Sequence, residues 1–171
     1  VVLPQSPPDR LWINETILDA IDALDSATRD FNGDPTRTTL IGNSMGGFGS
    51  FFTAALFPGR FAAITSVAGG IVPDPSYNAF RKFVHPTLLP LLDEPSPHAA
   101  FARRIGAVPL RLYHGTNDDI VPCSESEKIA AAFSAQGSPI ELTLFENADH
   151  YINDRAYSDS SLPQWLLNRA L

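Results

Sequence analysis

Apolar residues along this chain fall into blocks divided by polar, glycine and proline punctuation, and the spacing within the blocks changes. Ile13, Ile17, Ile21 and Leu24 recur at helical spacing with Asp19, Asp22 and Asp25 among them, which predicts an amphipathic helix over 14–29. Asn32-Gly33-Asp34-Pro35 ends it. Ahead of this helix, Val1, Val2 and Leu3 read as the end of a strand, with 5–8 as the loop leaving it. A short strand over 38–41 and a helix over 45–57 follow, closed by Pro58-Gly59. Residues 61–68 are continuously apolar, as expected of a strand buried on both faces of a parallel sheet. Residues 109–114 predict another strand. A helix then opens at Ser124 with Glu127 three positions on, a capping-box pattern, and Gly137 ends it. Residues 140–145 alternate like a strand, and Ser161-Leu162-Pro163-Gln164 caps a last helix carrying Trp165, Leu166 and Leu167. Strands alternating with helices predict an α/β fold, with a mostly parallel sheet of about five strands in a single domain over 1–171.

Residues 70–106 interrupt the alternation. They are rich in proline and carry Tyr77, Phe80, Phe83, Leu88, Leu89, Leu91 and Leu92 in clusters. Such a stretch inside a compact domain serves either as a lid or substrate wall, or as a helical insertion that covers core.

Composition narrows the function classes. With 44% hydrophobic and 18% charged residues, the 171-residue chain resembles an ordinary soluble globular domain. A net charge of −7 argues against nucleic acid as a partner. No apolar run is long enough to span a membrane, and no secretory leader is recognisable, so no compartment is assigned. The lone Cys123 allows no intrachain disulfide, and none of the four histidines shows metal-site pair spacing, so neither metal nor cofactor is expected.

The candidate chemistry centres on Gly42-Asn43-Ser44-Met45-Gly46, a G-x-S-x-G pattern between a predicted strand and a predicted helix. The turn is too sharp for flanking side chains, which accounts for glycines two before and two after the serine. It lifts the Ser44 hydroxyl off the sheet edge, beside free N–H groups of the following helix. A serine hydroxyl needs a base to take its proton and an acid to hold that base. In an open parallel sheet such groups gather at the carboxyl ends of strands. Two stretches supply them: His114-Gly115-Thr116-Asn117-Asp118-Asp119, and Asn147-Ala148-Asp149-His150. The expected order is Ser44, Asp118, His150, with Asp119 as the rival acid. Asp149 would have to bend back on its neighbour. His85 and His98 lie in the insertion, and His114 is expected to brace its turn.

These stretches resemble the α/β-hydrolase superfamily, and more narrowly its esterase branch containing polyhydroxybutyrate-depolymerase-like, feruloyl-esterase-like and predicted-peptidase proteins. The resemblance rests on residues 41–49, on Phe57-Pro58-Gly59-Arg60-Phe61-Ala62-Ala63, on residues 114–122, on His150, and on Tyr157 and Gln164-Trp165-Leu166-Leu167. It implies that the first aspartate of the HG-x-x-D pattern, Asp118, is the acid. It also implies that the Met45 N–H serves the oxyanion hole and that Asn43 and Tyr151 line the substrate site. The resemblance carries three further strands upstream and a loop giving a second oxyanion donor; this chain begins near the fourth. Gln5 and Ser6, which leave a neighbouring predicted strand end, are candidate replacements for that donor. The gap predicts a fragment, direct pairing of the first strand with 38–41, or exposed strand edges pairing between subunits of a homo-oligomer, the last being favoured. The expected activity is that of a serine carboxylesterase on short-chain acyl esters. The alternatives are a serine peptidase of the same fold and a catalytically impaired hydrolase acting as a binding module.

Overall fold

The computed structural model describes residues 1–8, 10–72 and 81–171. Strands β1 (Thr39–Asn43), β2 (Ala63–Val67), β3 (Leu110–Gly115) and β4 (Ile140–Phe145) form one sheet in that order, and every pairing is parallel. Asn43 stands opposite Val67, Val67 opposite Tyr113, and Gly115 opposite Phe145. The described helices are α1 (Glu15–Asp30), α2 (Met45–Leu56), α3 (Leu89–Leu92), α4 (Pro97–Ile105), α5 (Ser124–Ser134), α6 (Asn153–Tyr157) and α7 (Leu162–Leu167). None of them is long and apolar enough to cross a membrane.

A sheet that grows in one direction through right-handed crossovers keeps its crossover helices on one face. Here α2, α4 and α5 share that face. Phe48, Phe51, Phe52, Phe101, Ile129 and Phe133 pack there against Ile64, Leu110 and Leu112. Ile17 and Ile21 of α1 join the same cluster, and the Asn14 side chain caps α1 by accepting the Thr16 N–H.

Alternate residues of β2 and β3 turn to the other face. Val67 and Tyr113 meet Ile152 and Ala156 there, and Ala63 meets Leu162 and Trp165. Buried Arg111 reaches Glu141 and, at 2.9 Å, the Ser161 hydroxyl, and its guanidinium stands 5.1 Å over the Trp165 ring. The Trp165 indole N–H donates to Glu141 at 2.6 Å, and the Tyr113 hydroxyl donates to Asp159 at 2.6 Å. This polar network fastens the last two helices to the sheet. The Tyr113 hydroxyl, followed by the hydroxyl and N–H of Ser161, holds the Asp159 carboxyl down at about 2.

The α/β class and parallel sheet match expectation, with four strands among the described residues against an expected five or so. Residues 1–4 are coil with Val1 and Leu3 exposed, so no first strand pairs with β1. Pro4, Pro7 and Pro8 lack amide donors of their own, so no ladder can be extended from that short apolar run. The capping box at Ser124 does not form. Cys123 takes the cap position without a side-chain bond, because the Glu125 N–H has already turned onto the Pro122 carbonyl at 2.9 Å. Within the insertion, Val84, Leu88, Leu92 and Phe101 are buried in the main core and Phe83 is exposed. Tyr77 and Phe80 lie outside the described residues.

Candidate active site

Ser44 sits between β1 and α2 with φ +51° and ψ −114°, a conformation that side-chain-bearing residues rarely adopt. Its N–H donates to the Val67 carbonyl at 2.8 Å, one rung beyond the end of β1, and its own carbonyl accepts the Phe48 N–H at 3.2 Å. The flanking glycines have different reasons. A Cβ on Gly42 would stand 2.1 Å from the Gly46 carbonyl oxygen, so no side chain fits there. A Cβ on Gly46 would meet nothing within 4 Å, which corrects the expectation that sharpness of the turn demands both. Gly47 is the second tight position. Its Cβ would lie 2.6 Å from Ser66 Oγ and 2.9 Å from Gly69 Cα, so α2 starts almost in contact with the end of β2.

The loops after β3 and β4 are stitched together. The Thr116 N–H donates to the Phe145 carbonyl at 3.1 Å, the Asn117 N–H to the Ala148 carbonyl at 2.9 Å, and the Asn147 N–H to Thr116 Oγ1 at 2.8 Å. Gly115 allows this. A Cβ there would lie 2.2 Å from the Asp149 carbonyl oxygen and 2.4 Å from that of Ala148. The stitched loops bring His150 Nδ1 to 2.7 Å from Asp118 Oδ2 and His150 Nε2 to 2.8 Å from Ser44 Oγ. Asp118 Oδ1 accepts the N–H groups of Ile120 at 2.9 Å and Val121 at 2.8 Å. An ionised carboxylate only accepts, so His150 carries its proton on Nδ1 and offers the Nε2 lone pair to the Ser44 hydroxyl. Asp118 and His150 are buried, and Ser44 is half-buried.

The structure therefore brings Ser44, Asp118 and His150 into one hydrogen-bonded chain. Asp119 is exposed, and Asp149 accepts the Tyr151 N–H at 2.9 Å instead of meeting the histidine. Met45 opens α2, so its N–H has no intrahelical acceptor. Asn43 is exposed at the end of β1. Tyr151 is 75% exposed, with its ring edge-on to His150 at 5.7 Å. Gln5 lies exposed in the coil, and among the described residues no hydrogen bond joins its side chain to the elbow.

Two groups beside the site are not anticipated by spacing. His114 braces its turn as expected, with Nε2 2.9 Å from the Val121 carbonyl, but the same atom is 3.1 Å from Asp118 Oδ2. Glu125 is buried at the start of α5, and its Oε2 accepts from Ile71 N–H at 3.1 Å, Val72 N–H at 2.9 Å and the His98 ring at 2.9 Å. Burial pushes the Glu125 carboxyl up. The His98 hydrogen bond and charge, with the two N–H groups, outweigh burial and leave it below its ordinary value. Position four before Asp118 was a visible hint for His114. Nothing in the sequence links Glu125 to His98 and residue 71.

Residues 8–169 match the sequence model of the prolyl oligopeptidase family. The chain belongs to the prolyl oligopeptidase family. This family membership, together with the fold, sets it in the α/β-hydrolase superfamily that the elbow and HG-x-x-D stretches resemble. The YfhR protein of Escherichia coli (strain K12) is 25% identical over 126 residues, covering 68% of this chain and 39% of YfhR. A puromycin-hydrolyzing peptidase of Mycobacterium tuberculosis superposes on 88% of this chain with a TM-score of 0.63 and 27% identity. A thermostable esterase superposes on 98% with a TM-score of 0.74, and its 19% identity speaks for the fold alone. The family domain here spans 39% of YfhR, 24% of the peptidase and 43% of the esterase.

Proposed function

We propose that the chain is a serine hydrolase whose activity is that of a carboxylesterase on short-chain acyl esters. The observation that supports this reading best is the bridging position of His150, hydrogen-bonded to Ser44 Oγ on one side and to Asp118 on the other. Ser44 Oγ attacks the ester carbonyl carbon while His150 Nε2 takes its proton. Asp118 holds the ring and stabilises the charge it acquires. The carbonyl oxygen, now an oxyanion, lies against the Met45 N–H at the start of α2. Collapse of the tetrahedral intermediate breaks the bond to the alcohol oxygen, which leaves with the proton from His150. A water deprotonated by His150 then attacks the acyl-enzyme, and the acid departs with Ser44 restored. Asn43 and Tyr151, exposed beside the serine and the histidine, are assigned to the substrate rim.

A serine peptidase is the second reading. It is favoured by the family's name and by the peptidase with 27% identity. The two differ in the leaving group, since an amine leaves only after His150 has protonated it. The test is turnover of p-nitrophenyl acetate and of aminoacyl p-nitroanilides by the chain and by Ser44→Ala. Ester turnover lost in the variant supports the esterase reading. Anilide turnover exceeding ester turnover supports the peptidase. Equal background rates for both proteins would sink both and leave a binding module.

A further inference from the structure

The fully buried ring of His114 has no part in the chemistry above, yet it lies against the acid. Its Nε2 is within reach of two oxygens, the Val121 carbonyl at 2.9 Å and Asp118 Oδ2 at 3.1 Å. Both oxygens only accept, so Nε2 must carry the proton. Nδ1, 2.7 Å from Ser126 Oγ, then accepts the Ser126 hydroxyl. Asp118 accepts three hydrogen bonds, from Ile120 and Val121 N–H on Oδ1 and from His150 on Oδ2, and the His114 N–H, bonded to the Val121 carbonyl, lies 3.1 Å from Oδ2 on its remaining side.

We infer that His114, oriented by Ser126, is a positioning residue that sets the plane and charge distribution of the Asp118 carboxylate and through it the basicity of His150. The inference rests on the serine-hydrolase reading for its kinetic consequence. The two backbone donors both grip Oδ1, the oxygen turned away from His150. His114 is the fixed N–H dipole beside the working oxygen, 3.1 Å away. Its ring covers the side of Oδ2 that His150 does not use and keeps water from it, and its N–H dipole offsets part of the negative charge the histidine sees. Without it, Oδ2 would interact more strongly with the imidazolium of His150, and the acid limb of the rate profile would move to higher pH.

The groups facing His114 are few. Asp118 lies on its own loop, His150 on the loop after β4 and uncharged Ser126 on α5. Glu125 turns to Ile71, Val72 and His98, Asp149 to the Tyr151 N–H, and Asp119 is exposed.

The experiment compares the unmodified chain with His114→Leu, His114→Gln and Ser126→Ala, all checked for folding by circular dichroism. Gln places an amide N–H near the former Nε2, and Leu places none. Nitrogen NMR of the resting protein should show His114 protonated at Nε2 and not at Nδ1. His114→Leu should lower kcat on p-nitrophenyl acetate about tenfold or more, with KM little changed, and shift the acid limb of kcat/KM to higher pH. His114→Gln should recover kcat to within about threefold and restore the limb. If His114→Leu does not fold, Ser126→Ala carries the test, through a less firmly held His114 ring and a smaller shift of the same sign. A His114 ring protonated at Nδ1 would overturn the inference. So would a folded His114→Leu protein with an unmoved profile, or Gln and Leu variants that behave alike. If no protein turns over the ester, the esterase reading fails. The NMR tautomer, and the response of the downfield His150 Nδ1 proton to His114→Leu, then decide this inference separately.

Discussion

His150 Nε2 lies 2.8 Å from Ser44 Oγ although 106 positions separate them, and the strands that carry them are the two opposite edges of the sheet. Three strand spacings amount to about 14 Å, so the loop after β4 must reach back over the end of β3 to make the contact. It crosses at Gly115, against which the carbonyls of Ala148 and Asp149 lie.

Gly115→Ala should therefore act on the base from a distance. A Cβ 2.2 Å from the Asp149 carbonyl oxygen must push the loop outward. A displacement of about 1 Å costs on the order of a hundredfold in rate. Ester kinetics should show that loss in kcat, whereas a change confined to KM would contradict this account of the crossing.

The two neighbouring aspartates should separate sharply. Asp118→Asn removes the acceptor for the His150 Nδ1 proton and should lower kcat by about ten-thousandfold. Asp119→Asn, at an exposed position, should stay within about twofold of the unmodified chain. The paired measurement is kcat on one ester, and a reversed order would move the acid to Asp119.

At the elbow, thermal melting should distinguish glycines that the G-x-S-x-G pattern treats as equivalent. Gly42→Ala drives a Cβ to 2.1 Å from the Gly46 carbonyl and should destabilise the fold by about 3 kcal/mol or more. Gly46→Ala, with nothing within 4 Å, should melt close to the unmodified chain. A large loss at Gly46 would show that the backbone there, and not the space, needs glycine.

Acid sensitivity should trace in part to Asp159. Its carboxyl is held at about 2 by the Tyr113 hydroxyl and by Ser161, below the ordinary value of 3.8. A depressed native value means that the stabilisation is fully present above pH 4 and is lost as pH falls through the range from about 4 to about 2. Asp159→Asn should flatten the fall in melting temperature over that window and lower stability at pH 6. An unchanged acid limb would assign the loss to other carboxylates.

Glu125 should anchor the root of the insertion. Glu125→Gln keeps the shape of the side chain but weakens its hold on Ile71 N–H, Val72 N–H and His98. Hydrogen exchange at Ile71 and Val72 should quicken well before exchange in β3. Uniform protection changes across the sheet would point to general destabilisation instead.

Much of this arrangement is readable in the chain, for identifiable reasons. Ser44 is legible because the elbow puts a strand, two glycines and an apolar helix within a dozen residues. Asp118 and His150 are legible because strand ends can be located from apolar runs. The segment at Val1–Leu3 misleads because three apolar residues carry no period, and the prolines beside them decide the outcome. Ser124 looks like a cap because capping patterns ignore what the preceding turn is doing, and Pro122 begins that turn early. Gly46 and Gly47 exchange their expected importance because contact with Ser66 and Gly69 depends on how α2 sits on β2. Glu125 meets Ile71, Val72 and His98 through tertiary packing alone, which no spacing rule encodes, whereas His114 stands only four positions from Asp118.

The position of β2 has a practical meaning. Its end is joined to both neighbours by rungs past the formal strands, from Ser44 N–H to Val67 and from Ala68 N–H to Tyr113, each at 2.8 Å. The long insertion departs from that same point. One location thus contains both the ruler that spaces Ser44 from Asp118 and the root of the insertion. Engineers seeking altered selectivity could lengthen the exposed turn at 93–96, past the buried Leu92, while every ladder keeps its register, because adding residues to a surface connection costs only about 0.6 kcal/mol per doubling of length. A single residue added between 63 and 68 would instead shift the ruler itself. In this fold the tolerance for insertion is nil along β2 and high at the exposed turn after Leu92.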